Sequence, residues 1–112
     1  MKDFMFIFRN VPSATEPSPE EMQANMQLWM NWIDELKKQD RYKDGEPLTP
    51  PGKTVKGAKG TITDGPFVES KEIIGGYFII HADSLEEAAE LAKGCPDLSS
   101  NGSVEVREIM KM

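Results

Sequence analysis

Chemically active side chains are concentrated in one short segment just after the middle of the chain. It combines a turn dipeptide, a proline, two glutamates, a lysine and a pair of glycines. A carboxylate whose pKa is raised by burial can take a proton from a substrate, and a nearby lysine can hold the resulting anion. The segment therefore predicts a site for a small anionic molecule. It reads Thr63-Asp64-Gly65-Pro66-Phe67-Val68-Glu69-Ser70-Lys71-Glu72 and continues as Ile73-Ile74-Gly75-Gly76-Tyr77.

Each candidate in this segment also has a structural interpretation, which the sequence leaves open. Asp64 is either a pocket acid that acts as general base or a turn residue that caps its own backbone. Lys71 and the two glutamates either contact a ligand or form a solvated charged strip. The ligand-binding candidates here are Pro66, Phe67, Glu69, Lys71 and Glu72.

Three further ligand-binding candidates lie on later strands. His81, the only histidine, shares a strand face with Tyr77. Its imidazole suits proton transfer near neutral pH, although a structural histidine is the alternative. Arg107 could hold a carboxylate or phenolate with its planar guanidinium, or it could simply pair with Glu105. No pair of His or Cys has metal-ligand spacing, so neither a metal nor a cofactor is predicted.

Composition and charge limit the classes of function. The chain length of 112 residues predicts a single domain, residues 1–112. Its composition, with 38% hydrophobic and 29% charged residues, is typical of soluble proteins. A net charge of −6 without clustered Lys and Arg argues against binding nucleic acid. With no apolar run of membrane-spanning length and no signal-peptide pattern, we expect a cytoplasmic protein without membrane contact. The single Cys95 excludes an internal disulfide and is expected to be half-buried.

Alternating apolar residues predict where the strands lie. The first strand is apolar on both faces, with three phenylalanines on one and Met5 and Ile7 on the other, so both faces should be covered. The second and third strands are short and polar and flank a glycine-bounded turn, which is typical of a hairpin at a sheet edge. Gly75-Gly76 predicts a bulge or a close backbone approach. The predicted strands are residues 3–9, 54–56, 61–63, 74–83 and 104–110.

Serine caps predict where two helices begin. Ser18 starts a helix that should run to about Gln39, and Ser84 starts one that ends at Lys93. The first helix has a wide apolar face, which fits either a large core or an additional pocket or partner. Residues 40–52, rich in Gly and Pro, are predicted to be a loop. The expected packing residues are Met22, Met26, Trp29, Ile33 and Leu36, with Leu28, Met30 and Trp32, and then Leu85, Ala88, Ala89, Leu91 and Ala92.

The order β-α-β-β-loop-β-α-β predicts an α+β fold. It matches the ferredoxin-like split βαβ pattern, an antiparallel sheet with two helices on one face. The opposite face needs a cover, because apolar side chains of the first strand lie there. A second copy of the sheet would supply it. We therefore expect a homodimer that forms a dimeric α/β barrel with a cavity between the two sheets.

Several motifs together resemble the signature of the DGPF family, a branch of the YCII-related proteins. The resemblance implies a ferredoxin-like subunit in a dimeric α/β barrel, and no established reaction. For the wider group it implies a His–Asp pair between the first strand and the first helix, where this chain has Arg9-Asn10 instead. One relative in that group is a dehydrochlorinase that acts on a chlorinated hydroxyhydroquinone. The motifs are Thr63-Asp64-Gly65-Pro66-Phe67, Glu69-Ser70-Lys71-Glu72, Gly75-Gly76-Tyr77 and Ser103-Val104-Glu105-Val106-Arg107, preceded by Leu48-Thr49-Pro50-Pro51 and Thr54-Val55.

Two functions fit these residues. One is a module that binds a small anionic ligand in a pocket at the sheet face or dimer interface. The other is a cofactor-free enzyme that transfers a proton, of isomerase or dehydrochlorinase type, with Asp64 as base and Lys71 and Arg107 holding the anion. The lack of the usual histidine favours the binding module. A raised carboxylate pKa in a closed cavity would favour the enzyme, whereas satisfied ion pairs would favour the module.

Overall fold

A computed structural model describes residues 1–11, 17–49, 51–65 and 73–112 of the chain. This part of the chain forms an α+β fold with both helices packed on one sheet, and the predicted strands and helices lie close to the observed ones. The elements are β1 (Lys2–Asn10), α1 (Pro19–Lys38), β2 (Tyr42–Pro47), β3 (Lys53–Lys56), β4 (Thr61–Asp64), β5 (Ile73–Ala82), α2 (Leu85–Ala92), a 3-10 helix (Pro96–Ser100) and β6 (Ser103–Glu108).

The main sheet has four strands in the order β2-β5-β1-β6, and all neighbouring strands are antiparallel. With the hairpin left aside, this is the ferredoxin-like arrangement, so the predicted fold is confirmed. β1 lies between β5 and β6, which agrees with its apolar residues on both faces. Its partner β5 contains the predicted bulge: Phe8 pairs with Gly76 and Arg9 with Ile74, so that Gly75 is the extra residue.

The prediction of a loop over residues 40–52 was wrong, because β2 lies within it. β2 is an edge strand whose sequence contains one aromatic residue, Tyr42, and no alternating apolar pattern. It is held by its backbone pairing with β5 and by the Tyr42 ring, which packs edge-on against Phe78 at a centroid distance of 5.2 Å. Pro47 and Gly45 are tolerated because an edge strand leaves one side of its backbone unpaired.

The predicted hairpin is present, but its position in the sheet was predicted wrongly. β3 and β4 pair with each other, with Val55 opposite Ile62, and form a separate two-stranded sheet. Gly57 and Gly60 at the turn have φ of +80° and +67°, a region that glycine adopts without steric cost. The hairpin is thus inserted between β2 and β5 and is not an edge of the main sheet.

The core lies between the main sheet and the two helices. The phenylalanines of β1 point towards it, and the ring of Phe6 stacks on that of Trp32 at 6.1 Å with an interplanar angle of 6°. Phe8 meets Phe78 edge-on at 4.8 Å. Such aromatic pairs add favourable geometry to the burial of large apolar surfaces. The buried residues of this core are Phe4, Phe6, Phe8, Trp32, Leu36, Phe78, Ile80, Ala82, Ala88, Ala92 and Cys95.

Both helices begin at their predicted caps. The Ser18 hydroxyl accepts a hydrogen bond from the amide of Glu21 at 3.1 Å, and the Ser84 hydroxyl accepts one from the amide of Glu87 at 3.1 Å. Neither helix, within the described ranges, is long and apolar enough to cross a bilayer.

The packing faces of the two helices were predicted too broadly. The buried side chains of α1, Trp32 and Leu36, both belong to its C-terminal half. Its N-terminal half extends away from the core, which leaves Met22 and Met26 57% and 66% exposed. α2 packs closely through Ala88 and Ala92, one turn apart. The predicted packing residues that are exposed are Met22, Met26, Leu28, Met30, Leu85 and Ala89.

The contact of β2 with β5 can be tested at Gly45. A Cβ atom at this position would lie 2.5 Å from Cδ1 of Phe78 and 2.8 Å from the carbonyl oxygen of Tyr77. We expect Gly45→Ala to lower the free energy of unfolding by about 1–3 kcal/mol, since overpacking forces neighbouring groups to move. A Cβ at Gly52 would meet nothing within 4 Å, so Gly52→Ala is the matched control. Urea denaturation measures both, and equal stability of the two variants would contradict the placement of β2.

Candidate functional site

The face of the main sheet that points away from the helices carries a half-buried apolar patch. We call this surface the open sheet face, because no described helix packs on it. Met5 pairs with Ile79 and Ile7 with Tyr77, which makes the four side chains contiguous. All four are partly buried. A half-buried apolar patch with polar groups at its border is the usual form of a binding surface.

An acid–base cluster borders the patch at the start of β1. Asp3 pairs in register with His81, and its carboxylate bridges two basic groups. One oxygen, Oδ1, lies 2.8 Å from Nδ1 of His81, and Oδ2 accepts a hydrogen bond from Nζ of Lys43 at 2.9 Å. The hydrogen bond from Lys43, and after it that from His81, holds the pKa of Asp3 below its usual value against the opposing effect of partial burial.

The two ring nitrogens of His81 have different surroundings within the described part of the chain. A carboxylate beside Nδ1 favours the tautomer with a proton on that atom, which leaves Nε2 as an acceptor in the neutral ring. Among the described residues, no hydrogen-bond partner of Nε2 is found. A His–Asp pair of this kind can accept and return a proton.

An arginine cluster borders the patch along β6. Arg9 Nη2 lies 3.4 Å from Oε1 of Glu105, and Arg107 Nη1 lies 3.2 Å from Oε2 of the same carboxylate. Two guanidinium groups therefore share one carboxylate, and the cluster retains a positive charge. The Arg107 side chain is 70% exposed, and Glu105 is its ion-pair partner among the described residues, so a planar guanidinium group with further hydrogen-bond donors lies at this border.

The opposite border, along β2, is acidic. Asp44 pairs in register with Ile79, and Glu46 pairs with Tyr77. Burial, and after it the charges of these two acids, raises the pKa of Tyr42 on the same strand. β2 thus carries two carboxylates at this border, together with Lys43, which pairs with Asp3.

The structure brings three of the predicted site residues, Tyr77, His81 and Arg107, onto the open sheet face. Asp64 lies elsewhere, at the end of β4. Its carboxylate is 90% exposed and forms an ion pair with Nζ of Lys53 at 2.6 Å. An open cleft of about 460 Å³ at the base of the hairpin includes both residues. The role of Asp64 as a base stays a prediction. Pro66, Phe67, Glu69, Lys71 and Glu72 lie outside the described residues.

Three residues of the site were missed by the sequence interpretation. Asp3 and Arg9 lie on the same face as Met5 and Ile7, so the alternation in β1 already contained the signal that would have found them. Lys43 carried no such signal, because β2 has no apolar alternation from which a strand could be predicted.

Cys95 belongs to the core and not to the site. The thiol is buried, as part of the helix-side cluster, and burial raises its pKa to about 11. A thiol with such a pKa is overwhelmingly protonated near neutral pH and is a poor nucleophile. Within the described ranges, no group of three or more His, Cys, Asp or Glu side chains is placed to hold a metal ion.

Comparison with known proteins identifies a family and a fold. The model of the YCII-related domain matches residues 3–112. Over 49 residues the chain is 41% identical to an uncharacterized protein of Rhizobium meliloti (strain 1021); this match covers 43% of the chain and 40% of that protein, less than half of its length.

Among solved structures, the chain is similar to TftG of Burkholderia phenoliruptrix AC1100, a 5-chloro-2-hydroxyhydroquinone dehydrochlorinase in complex with 2,5-dihydroxybenzoquinone. The TM-score is 0.51 at 15% identity, with 98% of this chain and 95% of that chain covered. At this identity the similarity shows a shared fold.

The acid–base cluster predicts a pH dependence of stability. Because the pKa of Asp3 is lower in the folded state, its stabilising contribution is present above the unfolded value of 3.8 and is lost as the pH falls through the folded value. We expect the difference in unfolding free energy between wild type and Asp3→Asn to be largest above about pH 5 and to shrink as the pH falls below 3.8. Urea denaturation over this pH range measures it. Asp34→Asn, at an exposed position of α1, is the control, and a pH-independent Asp3→Asn difference would contradict the cluster.

Proposed function

The chain belongs to the YCII-related domain family, and we propose that it is a module that binds a small anionic ring compound on the open sheet face. The observation that carries this proposal is the apolar patch bordered by two clusters in which one carboxylate is shared by two basic side chains. The patch suits the flat face of a ring, and the arginine cluster suits a carboxylate or phenolate on its edge.

The charge distribution supports an anionic ligand. The chain has a net charge of −6, so its average surface repels anions. The arginine cluster is a local exception, because Arg9 and Arg107 together outweigh Glu105. A local positive region beside a partly desolvated patch strengthens a charged hydrogen bond, since the effective dielectric constant there is lower than in water.

The pairing of the carboxylates supports ligand binding. Asp3 has a lowered pKa, held by Lys43 and His81, so it is ionised near neutral pH and cannot serve as an acid there. Glu105 is engaged by two guanidinium groups. Ion pairs of this kind can orient a bound ligand, and binding there requires no proton transfer.

A second copy of the chain would complete the pocket. We include in the proposal that the protein is a cytoplasmic homodimer of the DGPF branch, with two open sheet faces turned towards each other. The half-buried side chains of the patch support this arrangement, because pairing the two patches removes apolar surface from water. The ligand would then be enclosed between the sheets and held by arginine clusters from both copies.

A direct binding measurement tests the anion subsite. The probes are benzoate and 2,5-dihydroxybenzoquinone, the ring compound bound by the structural neighbour. Arg107→Gln should weaken binding about tenfold or more, because a hydrogen bond to a charged group contributes about 1.5–3 kcal/mol. Isothermal titration calorimetry gives the Kd of each variant.

The matched control is Lys93→Gln, which removes a cation that lies on the helix side and pairs with Glu90. It should leave the Kd unchanged, and benzyl alcohol, which lacks the charge, should bind more weakly than benzoate. Equal affinity of wild type and Arg107→Gln for benzoate would refute the proposed subsite.

A second candidate function is cofactor-free proton transfer of isomerase or dehydrochlorinase type. The observation that favours it is the His81–Asp3 pair, whose Nε2 faces no described partner. In this candidate His81 takes the proton through Nε2 and Asp3 stabilises the imidazolium that forms. Arg107 holds the substrate anion. Asp64, the base predicted from sequence, is the alternative proton acceptor.

Turnover assays separate the two candidate functions. Release of chloride from 5-chloro-2-hydroxyhydroquinone by wild type, reduced about 100-fold or more by His81→Asn and unaffected by Asp64→Asn, would establish His81 as the base. The opposite pattern would assign that role to Asp64. If wild type binds the ring compounds without releasing chloride, the dehydrochlorinase candidate fails and the binding module stands.

A further inference from the structure

Arg41 lies between the end of α1 and the start of β2, and the end of the helix fixes its backbone. The amide of Arg41 donates to the carbonyl of Leu36 at 2.8 Å, and Asp40, immediately before it, has a φ of +59°. A residue in the left-handed region, followed by a hydrogen bond back into the last turn, is a common C-terminal cap of a helix. Arg41 therefore enters the sheet from a fixed position.

Arg41 contacts the backbone of His81 on both sides of its Cα atom. The Arg41 carbonyl accepts a hydrogen bond from the His81 amide at 2.7 Å, and Nη1 of Arg41 donates, more weakly, to the His81 carbonyl at 3.4 Å. The Arg41 side chain is 22% exposed, and hydrogen bonds partly withdrawn from water are electrostatically stronger than exposed ones. Because both neighbouring peptide groups are held, the direction in which the His81 side chain leaves β5 is fixed.

The guanidinium group of Arg41 is itself anchored by α2. Nη1 of Arg41 pairs with Oε1 of Glu87, and the same oxygen accepts a hydrogen bond from the Asp83 amide at 3.1 Å. The hydrogen bond from Asp83, and after it that from Arg41, holds the pKa of Glu87 below its usual value against the opposing effect of partial burial. Glu87 is therefore ionised near neutral pH, and its contact with Arg41 is a hydrogen bond between two charged groups, which is the stronger kind.

Both basic partners of Asp3 depend on this junction. His81 is held by Arg41 directly. Lys43 follows Arg41 by two residues and is the extra residue of a bulge in the pairing of β2 with β5. A bulge redirects the side chain that it carries, and here Nζ of Lys43 reaches the Asp3 carboxylate at 2.9 Å. A displacement of Arg41 would therefore move both groups that Asp3 bridges.

We propose that Arg41 is a positioning residue of the open sheet face, which holds His81 and Lys43 where both reach the carboxylate of Asp3. This inference rests on the proposed function and deepens it, because it gives the acid–base cluster a task in binding. The cluster supplies a second polar contact for the ring compound, through Nε2 of His81, in addition to the contact at the arginine cluster.

The spacing of the two clusters suits one ring that contacts both. Arg107 pairs with Met5, which lies two residues from Asp3 on β1. The backbones of Asp3 and Arg107 are therefore on the order of 8 Å apart, from the rise along a strand and the distance between neighbouring strands. A compound with oxygen atoms on opposite edges of its ring, such as 2,5-dihydroxybenzoquinone, can contact both clusters. Benzoate has its oxygen atoms on one edge and can contact one.

Nitrogen-15 NMR of the imidazole tests the role of Arg41 without a ligand. His81 is the only histidine of the chain, so its ring signals are identified at once. At about pH 9 a free imidazole is neutral, and the nitrogen shifts give the ratio of the Nδ1–H to the Nε2–H tautomer. The wild type should favour Nδ1–H, because Asp3 lies beside that atom. In Arg41→Met we expect this ratio to fall about threefold or more, since the hydrogen bond to Asp3 is weakened.

Matched variants calibrate this measurement. Asp3→Ala removes the carboxylate and should give the lowest ratio. Lys93→Met deletes another cation that pairs with a glutamate of α2, and it should keep the wild-type ratio. If circular dichroism shows that Arg41→Met does not fold, Glu87→Gln takes its place, because it removes the charge that anchors the guanidinium group. A wild-type ratio in the folded variant, with a lowered melting temperature, would mean that Arg41 merely joins α2 to the sheet, and it would overturn the proposal.

Ligand binding provides a second measurement on the same variant. In Arg41→Met the Kd for 2,5-dihydroxybenzoquinone should rise about threefold to tenfold, the effect of losing one hydrogen bond, while the Kd for benzoate stays at the wild-type value. An equal rise for both probes, or no rise for either, contradicts the proposed positioning. Failure of the wild type to bind either probe refutes the proposed function instead, and the tautomer ratio, which needs no ligand, then decides on Arg41.

Discussion

The register between β1 and β5 is the constraint on which the rest of the structure depends. It pairs Phe4 with Ile80 on the helix side and Asp3 with His81 on the other. A shift of one residue would exchange the two faces, because successive side chains of a strand point in opposite directions. The aromatic core and the polar border of the open sheet face are therefore fixed by the same pairing. The bulge at Gly75 accounts for the shift in register between Phe8 and Arg9.

Most of the fold could be predicted from the sequence because its long strands and both helices have clear local sequence patterns. β1 and β5 alternate between two faces, and both helices have a serine cap followed by a glutamate. β2 carries no comparable pattern. Its sequence, Tyr-Lys-Asp-Gly-Glu-Pro over residues 42–47, is polar and contains two residues that disfavour strands. It is a strand because it pairs with the edge of β5, and because Gly45 lets the two strands approach closely where a Cβ atom would clash with Phe78. Both conditions depend on residues distant in sequence, so a short stretch of sequence does not reveal them.

The candidate site was predictable to the extent that it lies on strands with a clear alternation. Tyr77, His81 and Arg107 were selected from sequence, and all three lie on the open sheet face. The partner of His81 was not selected, because two residues at opposite ends of the chain meet only through strand pairing. Asp64, the most conspicuous acid by motif, lies at the end of β4 in the hairpin and not on the open sheet face.

Ion pairs organise the border of the open sheet face. Basic groups that lie close together repel one another, and both clusters of the open sheet face place one carboxylate between two basic side chains. This arrangement keeps each basic group oriented while leaving the surplus charge for a ligand. Residues 53–64, which form the hairpin, contain three lysines and one aspartate, a net charge of +2 in a chain whose net charge is −6. The proposed pairing of two open sheet faces would enclose the surface on which we expect the anion to bind.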